Sequence, residues 1–124
     1  MKKGEFIQVH PVLPVRNVTS SLEFYAEKLG FAIAFVDNQE RPGYAGVTRD
    51  GVEIHMQLHS EEEWEQMCAS SLRFVVRDIQ SLYDEYESQD VFHKNTSLKI
   101  TPWNTKEFAF YDPDMNGLTF YIDL

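Results

Sequence analysis

The stretch VEIHMQLH, residues 52–59, sets Glu53, His55, Gln57 and His59 at alternate positions between Ile54, Met56 and Leu58. In an extended strand successive side chains point to opposite faces. One face of this segment therefore carries two imidazoles, a carboxylate and an amide. Two chemistries are open to it. Histidine titrates near neutrality, so His55 is a candidate acid–base group. Imidazole and carboxylate are also metal ligands, but a catalytic divalent site needs three or four N, O or S donors with one position left open. Glu53, Gln57, His59 or Glu107 could supply a further ligand, and no spacing rule selects one. Nothing fixes a nucleophile or an oxyanion hole, and no Gly-rich phosphate loop is present. Cys68, the single cysteine, has no partner base arranged around it and reads as a partly buried structural thiol. Phe35, Tyr44, Trp64, Trp103 and Tyr121 are flat surfaces that either stack on a ligand or fill core and rim.

The elements that would position these residues follow from the pattern. "FIQVHPVLPV" (6–15) reads as a first strand that Pro11 and Pro14 restrict to an edge or crossing point. Ser20 and Glu23 form a capping box for a helix whose apolar face is Leu22, Tyr25, Ala26 and Leu29, ending at Gly30. Strands "FAIAFVD", "YAGVTR" and "VEIHMQL" come next, the last two joined by a turn at Asp50-Gly51. Ser60 and Glu63 cap a short acidic helix, "EEEWEQMCA", that connects to a second passage. There "SLRFVV" is a strand, Ile79, Leu82, Tyr83 and Tyr86 make a helix face, and "SLKITPW", "KEFAFYD" and "LTFYIDL" are strands. In the last, Thr119, Tyr121 and Asp123 alternate with Leu118, Phe120 and Ile122. VRNV at 15–18 and VRDI at 76–79 are then one strand-to-helix corner in two copies. Each half reads β-α-β-β-β, an α+β arrangement of two curved sheets around a polar-lined, aromatic-rich trough.

Composition sets the class. The chain has 124 residues, 43% hydrophobic and 25% charged, ordinary for one soluble domain. No apolar run nears the roughly 20 residues of a membrane span. "MKKGEF" lacks the apolar core of a signal peptide. One cysteine forms no internal disulfide, which fits a cytoplasmic protein. The net charge of −9, from 20 acids against 11 bases, repels a phosphate backbone and excludes a nucleic-acid partner. It serves solubility, or a cleft that attracts a cation.

"PVLPVRNVTSSLEFYAEKLGF", "YAGVTRDGVEIHMQL" and "PWNTKEFAFYDPDMNG", in that order, resemble the glyoxalase/bleomycin resistance protein/dioxygenase (vicinal oxygen chelate) superfamily, and its bleomycin-resistance branch in particular. The resemblance implies one domain over residues 1–124, with half-modules at about 5–59 and 70–124, assembled as a homodimer, often with the first strand exchanged. Three positions depart from the branch: Asn104 and Met115 stand where it usually has glycine, and His10 where it has a small apolar residue. With Met115 in that place, the last turn is expected to take its positive φ at Asn116 or Gly117. Metal-dependent members place ligands at points that correspond to His10, His55, Ser71 and Thr119. Only the two histidines among these are good ligands. The reading that asks least is a binding protein that sequesters an aromatic or cationic small molecule and performs no chemistry, without a cofactor. Its cleft would be lined by Trp103, His55, His10, Gln57, Phe35, Tyr121 and Glu107. The alternative is a metal-dependent lyase or dioxygenase holding Zn, Ni or Fe at His10 and His55.

Overall fold

The alternating segment is a strand, β4 (Val52–Leu58), and the computed structural model shows what it pairs with. The structure describes residues 3–124. Met1 and Lys2, part of the opening read as free of a leader, lie outside the described residues. β4 runs antiparallel to β3 (Tyr44–Arg49) and parallel to β1 (Val12–Val15). β2 (Ala32–Val36) completes a sheet in the order β1-β4-β3-β2. A second sheet repeats it as β5-β8-β7-β6, with β5 (Ser71–Val75), β6 (Lys99–Ile100), β7 (Thr105–Tyr111) and β8 (Gly117–Asp123). The fold is α+β: two βαβββ modules, each a mixed four-stranded sheet. The Asp-Gly turn has both residues at positive φ, 51° and 81°, the geometry a two-residue hairpin requires.

Three helices pack on one face of the sheets or link them. α1 (Val18–Glu23) continues into a π-helical stretch over Phe24–Lys28. Its N-cap is Asn17, whose side chain accepts from the Ser20 amide, and not the expected Ser20–Glu23 box. Asn17 wins because the residue after it, Val18, is already buried and helical. α2 (Glu61–Glu65) does have its capping box, Ser60 with Glu63, but stops short of the expected residues 66–69. Cys68 beyond it is exposed, which corrects its reading as a partly buried thiol. α3 (Ile79–Glu87) buries Ile79 and Tyr86. The core gathers Leu13, Val15, Leu22, Tyr25 and Met56 with Tyr86, Phe108, Leu118 and Phe120.

The last turn of the second half is stitched to a corner of the first. Asn116, fully buried, donates to the Pro14 carbonyl at 3.0 Å and accepts from the Ser70 amide at 2.8 Å. The Tyr25 hydroxyl donates to Asp112 at 2.8 Å, and the Arg16 amide to Asp114 at 3.0 Å. Burial together with Asp112 pushes the Tyr25 phenol well above its ordinary value. Tyr86, 61 residues on, meets a cation instead: it accepts from Arg49, which also forks onto Glu85 at 2.8 and 2.9 Å. The expected positive φ at Asn116 or Gly117 is not what the turn uses. Met115 itself takes φ 66°, and Asn104 takes 64°. Both positions that depart from glycine keep the conformation glycine would have supplied.

The first strand is shorter than its apolar run. Residues 3–11 precede β1 without joining a sheet, and Phe6, Ile7 and Val9 are almost fully exposed. Pro11 is the point of departure, its carbonyl accepting from the His55 amide at 2.9 Å.

Candidate functional site

On β4, Ile54 and Met56 are buried, while Glu53 and His55 lie half-buried on the opposite face. The register places His55 opposite Gly46 on β3, and Gly46 opposite Phe35 on β2. Gly46 lets the Phe35 ring drop onto the sheet: a Cβ there would stand 2.4 Å from Phe35 Cε1. Phe35 then stacks with Tyr44, centroids 6.0 Å apart at 16°, and meets His55 edge-on at 5.1 Å. The imidazole is held on both sides. Its Nδ1 is 2.8 Å from the Tyr44 hydroxyl, and its Nε2 is 2.7 Å from Glu53 Oε2.

His10, on the segment before β1, tilts over the same ring with centroids 4.5 Å apart. Its Nε2 bonds Gln8 at 3.0 Å and lies 3.6 Å from Glu53. One donor atom each from His10, Glu53 and His55 falls within 4.8 Å of the other two. The hydrogen bond from His55, with the nearby charge of His10, holds the Glu53 carboxyl below the usual carboxylate range. Two imidazoles and one carboxylate at this spacing form a donor set that Zn²⁺ or another borderline divalent cation accepts. Of the four points expected from the resemblance, the structure gathers His10 and His55 and adds Glu53. Ser71 and Thr119 lie in the other sheet, on β5 and β8.

The second sheet presents a different wall. Arg73 lies over Tyr121, 4.3 Å from the ring centroid, and donates to Glu107 at 3.0 Å. Thr105 also donates to Glu107, at 2.8 Å. Burial pulls the Glu107 carboxyl up, yet the bonds from Arg73 and Thr105, with a contribution from Trp103, leave it below its ordinary value. Trp103 is 62% exposed.

The seven expected cleft residues thus fall into two groups. Phe35, His55 and Gln57 lie on the first sheet, with His10 on the segment before it; Glu107 and Tyr121 lie on the second, with Trp103 in the turn before β7. Glu107 is paired with Arg73 and Thr105. A cavity of about 360 Å³, lined among others by His10, Glu53 and Arg73, bridges the two walls. A larger one, about 650 Å³, runs beside α3 past Arg49, Phe74 and Leu82 and touches none of the seven. Sequence reasoning left Glu53 as one of four equal options and overlooked Arg73. The signal for Glu53 was available: Glu-x-His on a strand puts both side chains on one face.

A family model described as the Glyoxalase/Bleomycin resistance protein/Dioxygenase superfamily matches residues 7–120. A bleomycin resistance protein of Geobacillus stearothermophilus is 32% identical over 130 residues, covering 93% of this chain and 96% of that one. Among solved structures, a bleomycin-binding protein complexed with bleomycin superposes with a TM-score of 0.79 at 22% identity, over 96% of this chain and all of the other. The bleomycin-binding protein of Streptomyces verticillus, complexed with copper(II)-bleomycin, gives 0.76 at 25% identity, over 95% and 97%.

Proposed function

Because this chain belongs to the glyoxalase/bleomycin resistance protein/dioxygenase superfamily, we propose that it is a cytoplasmic binding protein that sequesters an aromatic or cationic small molecule without transforming it. The observation that carries this reading is the 32% identity to a bleomycin resistance protein over 93% of the chain. The exposed Trp103, beside the Arg73–Tyr121 stack, supplies a platform for a flat ring. No helix of the structure is long and apolar enough to cross a membrane. The working unit is a homodimer. Phe6, Ile7 and Val9 on the segment before β1, with Val12, Ile33 and Val75, leave apolar surface that a second copy would cover, with the first strand exchanged at Pro11. Light scattering at micromolar concentration tests the assembly; a monomer removes it.

Ligand binding is tested by Trp103 fluorescence in a Trp64→Phe background, titrating bleomycin and a panel of neutral and cationic aromatics. Saturable quenching is expected. Trp103→Ala should weaken it by about 1–3 kcal/mol, the range for truncating a stacked aromatic anchor. Silence of Trp103→Ala toward every ligand that binds would end the sequestration reading.

The His10, Glu53 and His55 cluster favours a second reading, a divalent metal site. When bound, the metal would supply Lewis-acid activation of an oxygen ligand. His10 and His55 would hold it through imidazole nitrogens and Glu53 through a carboxylate oxygen. Elemental analysis of the purified protein decides it: stoichiometric Zn, Ni or Fe would place this reading ahead of the first.

A further inference from the structure

We infer that Tyr44 is a positioning residue for a metal at His10, Glu53 and His55, and that it acts by allowing His55 to change tautomer; the inference rests on the second reading above. His55 Nε2 faces Glu53 at 2.7 Å, and its Nδ1 faces the Tyr44 hydroxyl at 2.8 Å. A carboxylate only accepts hydrogen bonds. In the neutral, metal-free imidazole the proton therefore sits on Nε2, and the bare Nδ1 accepts from Tyr44. Metal ligation needs a bare nitrogen. Nε2 is the nitrogen that faces Glu53, beside which His10 Nε2 also lies. Holding a metal there requires the ring to carry its proton on Nδ1 instead, and Nδ1 must then donate. A hydroxyl donates in the first state and accepts in the second, so the Tyr44–His55 bond survives the exchange. A phenyl ring does neither.

The surroundings hold Tyr44 to this task. Its ring stacks on Phe35, and Phe35 is seated in the notch over Gly46. Tyr44 also meets the imidazole edge-on at 5.4 Å. The repeat lacks the device in its second copy. There Glu107 stands across from Tyr121 where Tyr44 stands across from Gln57, and Thr119 occupies the place of His55.

The test uses Zn²⁺ alone as the probe, with ¹⁵N spectra of the histidines and calorimetric titration of wild type and Tyr44→Phe. Wild-type His55 should be Nε2-protonated without metal and Nδ1-protonated with it. Tyr44→Phe should lose 10- to 100-fold in Zn²⁺ affinity, the effect of removing a partner that orients a ligating histidine, while its metal-free His55 should stay Nε2-protonated because Glu53 still only accepts. Phe35→Leu, which loosens the stack and keeps the hydroxyl, should lose less and keep the tautomer, which guards against a folding defect in the first variant. If wild type binds Zn²⁺ and Tyr44→Phe binds it equally well, the inference is overturned and the metal reading stands. If wild type takes up no Zn²⁺, the metal reading falls and takes the inference with it.

Discussion

Across from Gly46 stands His55; across from Ala109, in the other sheet, stands Thr119. Val12 lies beside His55 as Arg73 lies beside Thr119, and Gln57 faces Tyr44 as Tyr121 faces Glu107. The same ladder presents unlike groups. The first sheet holds a chain of phenol, imidazole and carboxylate with a second imidazole alongside. The second holds an ion pair closed over an aromatic ring. A duplicated backbone fixes where a side chain is offered, and each copy is then free to diverge in what it offers. The hairpin turns diverge too. The first is two exposed residues, Asp50 and Gly51, whereas the second buries Asp112, Asp114 and Asn116 against the first half.

The largest test of this contrast is at the turns. Asn116→Ala removes a buried amide that makes hydrogen bonds to Pro14, Ser70 and Asp112. It should lower stability by about 3 kcal/mol in urea unfolding, since buried groups lose their partners. Asp50→Asn, at the exposed counterpart, should stay within about 0.5 kcal/mol. Equal losses at both turns would show that the halves contribute alike to the seam.

Next in size is an exchange of site residues. His55→Thr should abolish Zn²⁺ uptake, while Thr119→His should create none in the second sheet. Gly117 stands there where the first sheet has Glu53, two residues before the exchanged position, and Glu107, in the place of Tyr44, is already held by Arg73 and Thr105. Uptake by Thr119→His in a His55→Thr background, read by calorimetry, would show that the ladder alone suffices.

Much of this was legible beforehand. The period-two alternation of Glu53, Ile54, His55 and Met56 set the register, because a slip of one residue would bury His55. Asp50-Gly51 and the Ser60–Glu63 box identify themselves by local chemistry. What local chemistry does not carry is competition and pairing over distance. Ser20 and Glu23 had the pattern of a cap, but Asn17, three residues earlier, was the better-placed acceptor. Residues 6–11 had the composition of a strand without a neighbour in the sheet to bond. Tyr44 became a partner of His55 only when β3 and β4 paired. The pairing of Arg73 with Glu107, 34 residues apart, needed β8 between them.

A smaller effect concerns the left-handed residues. Met115 at φ 66° carries a side chain where the backbone favours none. Met115→Gly should stabilise the second turn by about 1 kcal/mol, measured as a shift in urea midpoint. The smallest effect is on acid stability. The Glu107 carboxyl is held below its ordinary value. A depressed folded value means its contribution is complete above the unfolded value, near 4.5, and fades as pH falls through the lower folded one. Glu107→Gln should flatten that part of the pH dependence of the urea midpoint, with no change near neutrality in its slope; an unaltered acid limb would place the sensitivity elsewhere, at Glu53 or Glu63.

The stitched corner also sets a timetable for biosynthesis. Tyr25 waits for Asp112, Arg16 for Asp114 and Pro14 for Asn116, across 87, 98 and 102 residues. A ribosome releases the chain from its N-terminus, so the first half emerges with a buried phenol and a strand carbonyl that have no partners. Those partners arrive only with the turn between β7 and β8. The first half can form its sheet early, but its corner stays unfinished until Asn116 has emerged, and a nascent chain stalled before Asp112 would lack the contacts that close it.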